Sequence, residues 1–148
     1  MTTDYIVSSL PALSFDAPAP LSWEAFVAAC GGAAPASAKW DDLETQLRNA
    51  RAEARGGEKH RRPAAGCSVY WRNRVLACFQ EKDVLQRETL LDRTWWDAAG
   101  EMTDVTAPLG PGALLTYAIR LKIALRRSKI STDAGNAAFD RLTAETKR

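Results

Sequence analysis

Few side chains in this chain of 148 residues have the type and spacing that catalysis requires. The single histidine, His60, lies in a loop-like stretch with no other ligand at metal-binding spacing. No motif around a serine or cysteine supplies the base that a nucleophile needs. The glycine-rich stretches ACGGAA and LGPGA lack the lysine of a P-loop. We therefore expect no catalytic residue, no cofactor and no metal site, and a protein that is not an enzyme.

Two patterns leave other chemistry open. Asp97 and Glu101 are four residues apart and could act as paired acid and base, although their charged helix favours a solvated or salt-bridged face. The stretch Trp71 to Arg74 mixes aromatic and basic side chains, as single-strand nucleic-acid binders do. Trp71 also lies on an apolar helical stripe, which favours packing. We expect neither proton transfer nor nucleic-acid binding from these residues.

Charge is distributed unevenly along the chain. Residues 1–45 carry a net charge of −5 and residues 46–82 a net charge of +6, although the whole chain carries only +2. The two segments either complement each other inside one fold or present a basic face to a partner, including, as a weaker alternative, a nucleic acid.

Nothing in the chain indicates secretion or membrane insertion. The first residues have no basic segment, and no apolar run approaches the roughly 20 residues that span a bilayer. Cys30, Cys67 and Cys78 form no CxxC pair, which is typical of free thiols in a reducing compartment. We expect one cytoplasmic domain over residues 1–148, which could lie at a membrane only as part of a complex.

Apolar spacing every three or four residues predicts an all-α domain of about six helices in one compact bundle. The expected helices are Trp23–Ala29, Ala38–Arg55, Cys67–Glu81, Val84–Met102, Pro111–Lys129 and Asp133–Glu145. Ser22, Ser37 and Asp83 are candidate N-caps. Residues 1–21 are expected to be irregular, with a short extended piece at Tyr5–Val7 and with Leu10, Leu13 and Phe15 lying across the helices. Residues 56–66 read as a mobile basic loop.

The bundle is expected to be built on an antiparallel pair, 84–102 and 111–129. The first helix has an apolar stripe of Val84, Leu91, Trp95, Ala98 and Met102, widened by Leu85, Leu90 and Trp96. The second has two stripes, Leu114–Ala118–Leu121–Leu125 and Leu115–Ile119–Ile123, with Thr116, Arg120 and Arg127 on its polar side. The first helix is rich in acidic residues and the second in basic ones. We expect Arg120 or Arg126 within about 8 Å of Asp97 or Glu101.

The order of several short motifs resembles a family of small C-subunit-like proteins that are encoded with bacterial V-type ATPases. The first motif comprises Tyr5, Ser9-Leu10-Pro11, Ser22, Phe26 and Cys30, and the second comprises Glu44 and Leu47-Arg48-Asn49. The third comprises Arg87-Glu88, Leu90-Leu91-Asp92-Arg93, Trp96-Asp97, Glu101-Met102-Thr103, Leu114-Leu115, Tyr117-Ala118, Arg120-Leu121, Gly135 and Phe139. Residues 57–80, Ala98 and Ala99 depart from the pattern.

This resemblance implies a non-catalytic helical part of a rotary ATPase that couples or assembles the soluble sector and the membrane ring. Its partners would be other V-type ATPase subunits, in the central stalk and the membrane ring. The side chains expected to meet them are Arg87, Asp92, Arg93, Trp96, Arg120 and Arg127. From the residues alone, a generic helical adaptor or assembly factor remains the alternative, and the LLDR stretch reads either as packing or as a contact surface.

Overall fold

The computed structural model describes the backbone of residues 2–57 and 61–146, and the side chains of residues 2–57 and 61–130. Within that part of the chain it contains six α-helices and no strand, so the all-α prediction is confirmed. The helices are α1 (Thr3–Ser9), α2 (Trp23–Ala29), α3 (Ala38–Ala54), α4 (Val69–Cys78), α5 (Val84–Ala99) and α6 (Pro111–Thr146). A 3-10 turn, Gly100–Met102, follows α5.

The predicted helix starts at α2, α3 and α5 are confirmed in atomic detail. The Ser22 hydroxyl accepts the Ala25 N–H, Ser37 accepts the Lys39 N–H, and the Asp83 carboxylate accepts the Leu85 N–H. These caps satisfy donors that the first helical turn leaves without partners. Positive φ angles of 85° at Gly31 and 74° at Gly56 follow the ends of α2 and α3, where glycine avoids the strain of a Cβ atom.

Helix α6 lies at the centre because both of its apolar stripes are covered. One stripe packs with Phe26 in a cluster that contains Leu114, Ala118 and Leu121. The other joins the main core with α3, α4 and α5 through Leu115, Ile119, Ile123 and Ala124. The two predicted stripes are therefore confirmed.

Helices α5 and α6 pack as the expected antiparallel pair. Successive contacts run up α6 and down α5: the Thr116 hydroxyl donates to the Ala99 carbonyl and Arg120 Nε donates to the Trp96 carbonyl, at 2.9 and 3.0 Å. One turn further, Arg126 forms an ion pair with Asp92.

The acidic and basic sides of the pair face each other, and ion pairs join them at Asp92, while the predicted distance from Arg120 or Arg126 to Asp97 or Glu101 stays a prediction. Asp92 pairs with Arg126 and with Arg127, the latter at 3.4 Å. The negative charge of Asp97 acts on the Arg120 guanidinium, but Arg120 Nε donates its hydrogen bond to the Trp96 backbone carbonyl. The register is set by the apolar stripes, which place Arg126 beside Asp92 instead of beside Asp97.

Helix α5 is buried on a narrower face than predicted. Val84, Leu85 and Leu90 are exposed, at 61%, 76% and 44%, so their predicted burial is wrong. Leu91, Trp96, Ala98 and Met102 are buried as predicted, and Thr94 is buried with them. The Thr94 hydroxyl can be buried because it donates to the Leu90 carbonyl at 2.9 Å.

Thr116 is also buried, which corrects its predicted position on the polar side of α6. Its hydroxyl donates to the Ala99 carbonyl and shares a second hydrogen bond, of 2.7 Å, with the Thr103 hydroxyl. Both bonds lie at the corner between α5 and α6, where backbones approach closely. A Cβ atom on Gly112 would lie 2.1 Å from the Met102 carbonyl oxygen, so the corner requires glycine there.

The expected extended segment at Tyr5–Val7 is instead part of α1. The Thr2 hydroxyl caps this helix by accepting the Tyr5 N–H, and Asp4 lies in its first turn, where a negative charge suits the helix dipole. Ile6 and Val7 then pack against the cluster that contains Phe26. Tertiary packing therefore outweighs the low helix propensity of these β-branched residues. As expected, Phe15 is buried and Leu13 packs beside it.

The predicted break between two C-terminal helices is absent. The backbone of α6 continues through Ser131, Thr132 and Asp133 without interruption and ends at Thr146. Capping residues favour the start of a new helix only where the chain also turns. No proline lies between residues 112 and 146 to break the helix and cause such a turn. The predicted docking of Phe139 and Leu142 lies outside the described side chains.

Replacing Leu121 with alanine tests the central position of α6. Leu121 is fully buried, so Leu121→Ala should lower the free energy of unfolding by about 2–5 kcal/mol through lost burial and a residual cavity. Urea denaturation of the purified protein measures this loss. The exposed Leu85 is the matched control, and Leu85→Ala should change stability by less than about 0.5 kcal/mol. A loss below about 1 kcal/mol at Leu121 contradicts the two-sided packing of α6.

Candidate functional site

Three of the six predicted interaction residues, Arg93, Trp96 and Arg127, contact the Phe15 ring. Two more join this group through them, since Asp92 pairs with Arg127 and Arg120 lies over Trp96. We call this group the Phe15 cluster: Phe15, Asp92, Arg93, Trp96, Arg120 and Arg127. The Arg93 and Arg127 guanidinium groups lie 5.1 and 4.1 Å from the Phe15 ring centre. Trp96 meets the same ring edge to face, with 5.6 Å between ring centres. The cluster therefore fastens the N-terminal segment to α5 and α6.

The charged members of the Phe15 cluster are held by partners within the chain. The Asp92 side chain is only 15% exposed and pairs with two arginines of α6. Arg93 pairs with Asp97 at 3.3 Å. Arg120 lies over the Trp96 ring at 5.3 Å, and burial lowers the pKa of its guanidinium, although the nearby Asp97 opposes this. In the LLDR stretch, Leu91, Asp92 and Arg93 thus all serve packing.

Arg87, the sixth predicted residue, lies apart from this cluster. Its Nε and a terminal nitrogen both donate to the Glu81 carbonyl, at 3.1 and 3.0 Å, and its guanidinium lies over the Phe79 ring. Arg87 therefore closes the turn between α4 and α5. The six residues have structural roles that account for their positions, and their contact with a partner stays a prediction.

The carboxylates considered for acid–base chemistry also have partners. Asp97 pairs with Arg74 at 3.0 Å as well as with Arg93. Glu101 accepts the Trp71 indole N–H at 2.7 Å. Trp71 is buried, so the packing role that its helical stripe predicted is confirmed. His60 lies outside the described residues.

A second feature is a groove between α3 and the loop that follows it. Its volume is about 540 Å³, and we call it the arginine groove. Its lining residues are Thr45, Arg48, Asn49, Arg51, Ala52, Arg55, Gly57 and Arg62. Four of these eight residues are arginines, so the groove concentrates the positive charge of the middle segment.

Side chains of α3 hold in place the loop that forms the other wall of the groove. The Asn49 amide both donates to the Arg62 carbonyl at 2.7 Å and accepts the Arg62 N–H at 2.9 Å. The Asp42 carboxylate accepts the Ala65 and Gly66 N–H groups, at 2.6 and 3.0 Å. Four hydrogen bonds thus hold residues 62–66 against α3, while the predicted mobility of this loop stays a prediction.

Sequence reasoning missed the arginine groove. Arg48, Arg51 and Arg55 also suit the dipole of α3, which favours cations near the helix C-terminus, so their positions do not by themselves indicate a site. Their spacing of three and four residues also places them on one helix face, and that was the available signal. Arg62 lines the groove only because of how the loop folds, so the sequence pattern does not indicate its contribution.

Other kinds of site are absent from the part of the chain that the structure describes. No group of three or more histidine, cysteine, aspartate or glutamate side chains there could hold a metal ion. Among the same residues, no helix combines the length and apolar character that crossing a membrane requires. Comparison of the chain with protein-family models, curated proteins and solved structures found no match.

The anchoring of the loop by Asp42 predicts a pH dependence. The hydrogen bond from Gln46, followed by that from the Ala65 N–H, lowers the pKa of Asp42 from its ordinary value of 3.8. The anchor should hold above the ordinary value and be lost as pH falls through the lowered pKa, because protonation removes the charged acceptor. NMR titration of the Ala65 and Gly66 amides measures this, and the midpoint should lie below 3.8.

Asp42→Asn is the control for this titration, since it removes the titrating carboxylate but keeps the size of the side chain. The acid-induced movement of the two amide signals should be absent in this variant. A wild-type midpoint at or above 3.8 would show that Asp42 does not anchor the loop in solution.

Proposed function

We propose that this protein is a non-catalytic helical component of a bacterial V-type rotary ATPase, or a factor associated with it. It would be a C-subunit-like protein that couples or assembles the soluble sector and the membrane ring. It would bind the central stalk or the ring as a cytoplasmic protein that is peripheral to the membrane. The ordered series of motifs from Tyr5 to Phe139 supports this proposal through its resemblance to that family.

The observation that carries the proposal is that distant parts of this motif series meet in space. Tyr117, in the third motif, donates its hydroxyl to the carbonyl of Pro11, in the first, at 2.6 Å. The Tyr117 ring also stacks on Phe26, another residue of the first motif, with 5.6 Å between ring centres. The matched residues therefore form a connected framework, as expected of positions that define a fold.

Asp92, Trp96 and Arg120 extend this framework into the Phe15 cluster. Side chains that are held inside the chain offer little to a partner, so the partner surface should lie elsewhere. Val84, Leu85 and Leu90 of α5 are the exposed apolar candidates, and the arginine groove is the charged one. Apolar side chains that remain exposed on a helix are available for burial by another protein.

Co-purification tests the proposal. The tagged chain, expressed at its natural level in a bacterium that encodes it beside a V-type ATPase, should recover stalk or ring subunits from detergent-solubilised membranes. Mass spectrometry identifies them. Leu85→Ser alters an exposed apolar side chain with little effect on folding, and Val105→Ser, at a side chain 92% exposed in the α5–α6 corner, is its matched control.

We expect recovery to fall with Leu85→Ser and to be unchanged with Val105→Ser if α5 forms the contact. Equal recovery with both variants would move the contact away from α5 and leave the ATPase assignment intact. Absence of every ATPase subunit from the wild-type eluate refutes the assignment. A stoichiometric partner outside the ATPase would instead favour the generic adaptor or assembly factor.

A further inference from the structure

The arginine groove holds more positive charge than its surroundings balance. Arg48 pairs with Glu44 at 3.0 Å, and Arg55 pairs with Glu88 at 3.7 Å. Among the residues that the structure describes, no carboxylate lies within ion-pair distance of Arg51 or Arg62. Two of the four arginines that line the groove therefore form no ion pair among the described residues.

Arg51 is partly buried, and burial disfavours its charged form. Its guanidinium lies over the Trp95 ring at 5.5 Å, between α3 and α5. Burial, followed by the positive charges of Arg55 and Arg48, lowers the pKa of Arg51, although the negative charge of Glu88 opposes this. An anion bound in the groove would oppose each of these effects, because it would favour the charged form of every arginine around it.

The chemistry of the lining identifies the class of anion. A cavity of about 540 Å³ lies within the range of small-molecule sites. The described residues of its lining include no aromatic and no large apolar side chain, so the recognised part of the ligand is charged and not a hydrophobic ring. Arginine binds both carboxylates and phosphates through paired N–H groups.

The carboxylates that already lie at the rim of the groove favour a phosphate ligand over a carboxylate ligand. Glu44 and Glu88 already supply one carboxylate each to Arg48 and Arg55, so a carboxylate ligand would exchange like for like at these two positions. A chain of phosphates places several charges within one small volume, in a groove where Arg51 and Arg62 have no ion-pairing carboxylate among the described residues.

We propose that the arginine groove binds a small anion that carries two or more linked phosphate groups. Arg51 forms the floor of this site, and Arg62 approaches from the loop, where Asn49 fixes its backbone. Arg48 and Arg55 complete the site at the rim. This inference does not rest on the proposed function, since it concerns a small ligand of the groove and not its contact with a protein partner.

Isothermal titration calorimetry with inorganic tripolyphosphate tests the proposal. At an ionic strength of about 0.15 M, where general surface attraction is screened beyond about 8 Å, the wild-type protein should bind one tripolyphosphate per chain. Arg51→Gln and Arg62→Gln should each weaken binding at least about tenfold, because each removes a charge-assisted contact. Circular dichroism checks that both variants fold, and the exposed position of Arg62 protects the test if Arg51→Gln does not.

Arg61→Gln is the matched control. It removes the same charge one residue away, from a side chain that does not line the groove, and should change affinity by less than about threefold. Equal weakening by Arg61→Gln and Arg62→Gln would show attraction to general basic charge and overturn the site. Absence of tripolyphosphate binding would also overturn it.

A second titration distinguishes phosphate from an acidic protein segment. A hexaglutamate peptide should bind at least about tenfold more weakly than tripolyphosphate, since carboxylates only replace the existing Glu44 and Glu88 contacts. Tighter binding of hexaglutamate would overturn the proposal and assign the groove to an acidic partner. The outcome is separate from co-purification with the ATPase, which does not depend on phosphate.

Discussion

The need to cover both apolar stripes of α6 determines most of this structure. A helix that is apolar on two sides must be packed on two sides, because each exposed stripe would lose the free energy of burial. Helices α3, α4 and α5 cover one stripe, and α1 and α2 cover the other. The order of the elements follows from this, since the N-terminal segment has to cross the bundle to reach the second stripe.

Contacts of Phe15 hold the N-terminal segment where it crosses the bundle. Its ring lies between two arginines and against Trp96, so an apolar side chain and charged groups pack together without leaving the charges unpaired. Asp92 balances the charge of Arg126 and Arg127 beside the ring. The residues that carry the resemblance to the V-type ATPase family therefore include ones that build this junction. That makes them informative about the fold.

Sequence periodicity predicted α6 well because its two stripes are long and regular. It overestimated the buried face of α5, because apolar spacing alone does not show that Val84, Leu85 and Leu90 lie outside the packed surface. Which side chains are covered depends on segments distant in sequence, such as Phe15 against Trp96. The same limit applies to α1, whose β-branched residues become helical through packing against α2 and α6. Capping residues near Ser131 indicated a break that the backbone does not make, since such residues are also tolerated within a long helix.

The candidate sites, like the helices, could be predicted only in part from the sequence. The six predicted interaction residues have partners within the chain, and their contact with another protein stays a prediction. The arginine groove was missed because Arg62 reaches it only after Asn49 and Asp42 have fixed the loop. A site made by one helix and one folded loop leaves only a partial signal in the sequence, here the spacing of Arg48, Arg51 and Arg55.

The central claim, that this fold presents an outer surface to a V-type ATPase while the Phe15 cluster stays internal, is tested most directly by hydrogen exchange. Exchange should be measured on the free protein and on the same protein mixed with the purified ATPase. Amides on a contiguous outer surface should exchange more slowly in the mixture, while those around Phe15, Asp92 and Trp96 should be equally protected in both samples. Identical exchange throughout the chain would contradict the ATPase assignment. New protection confined to the Phe15 cluster would contradict the assignment of these residues to packing.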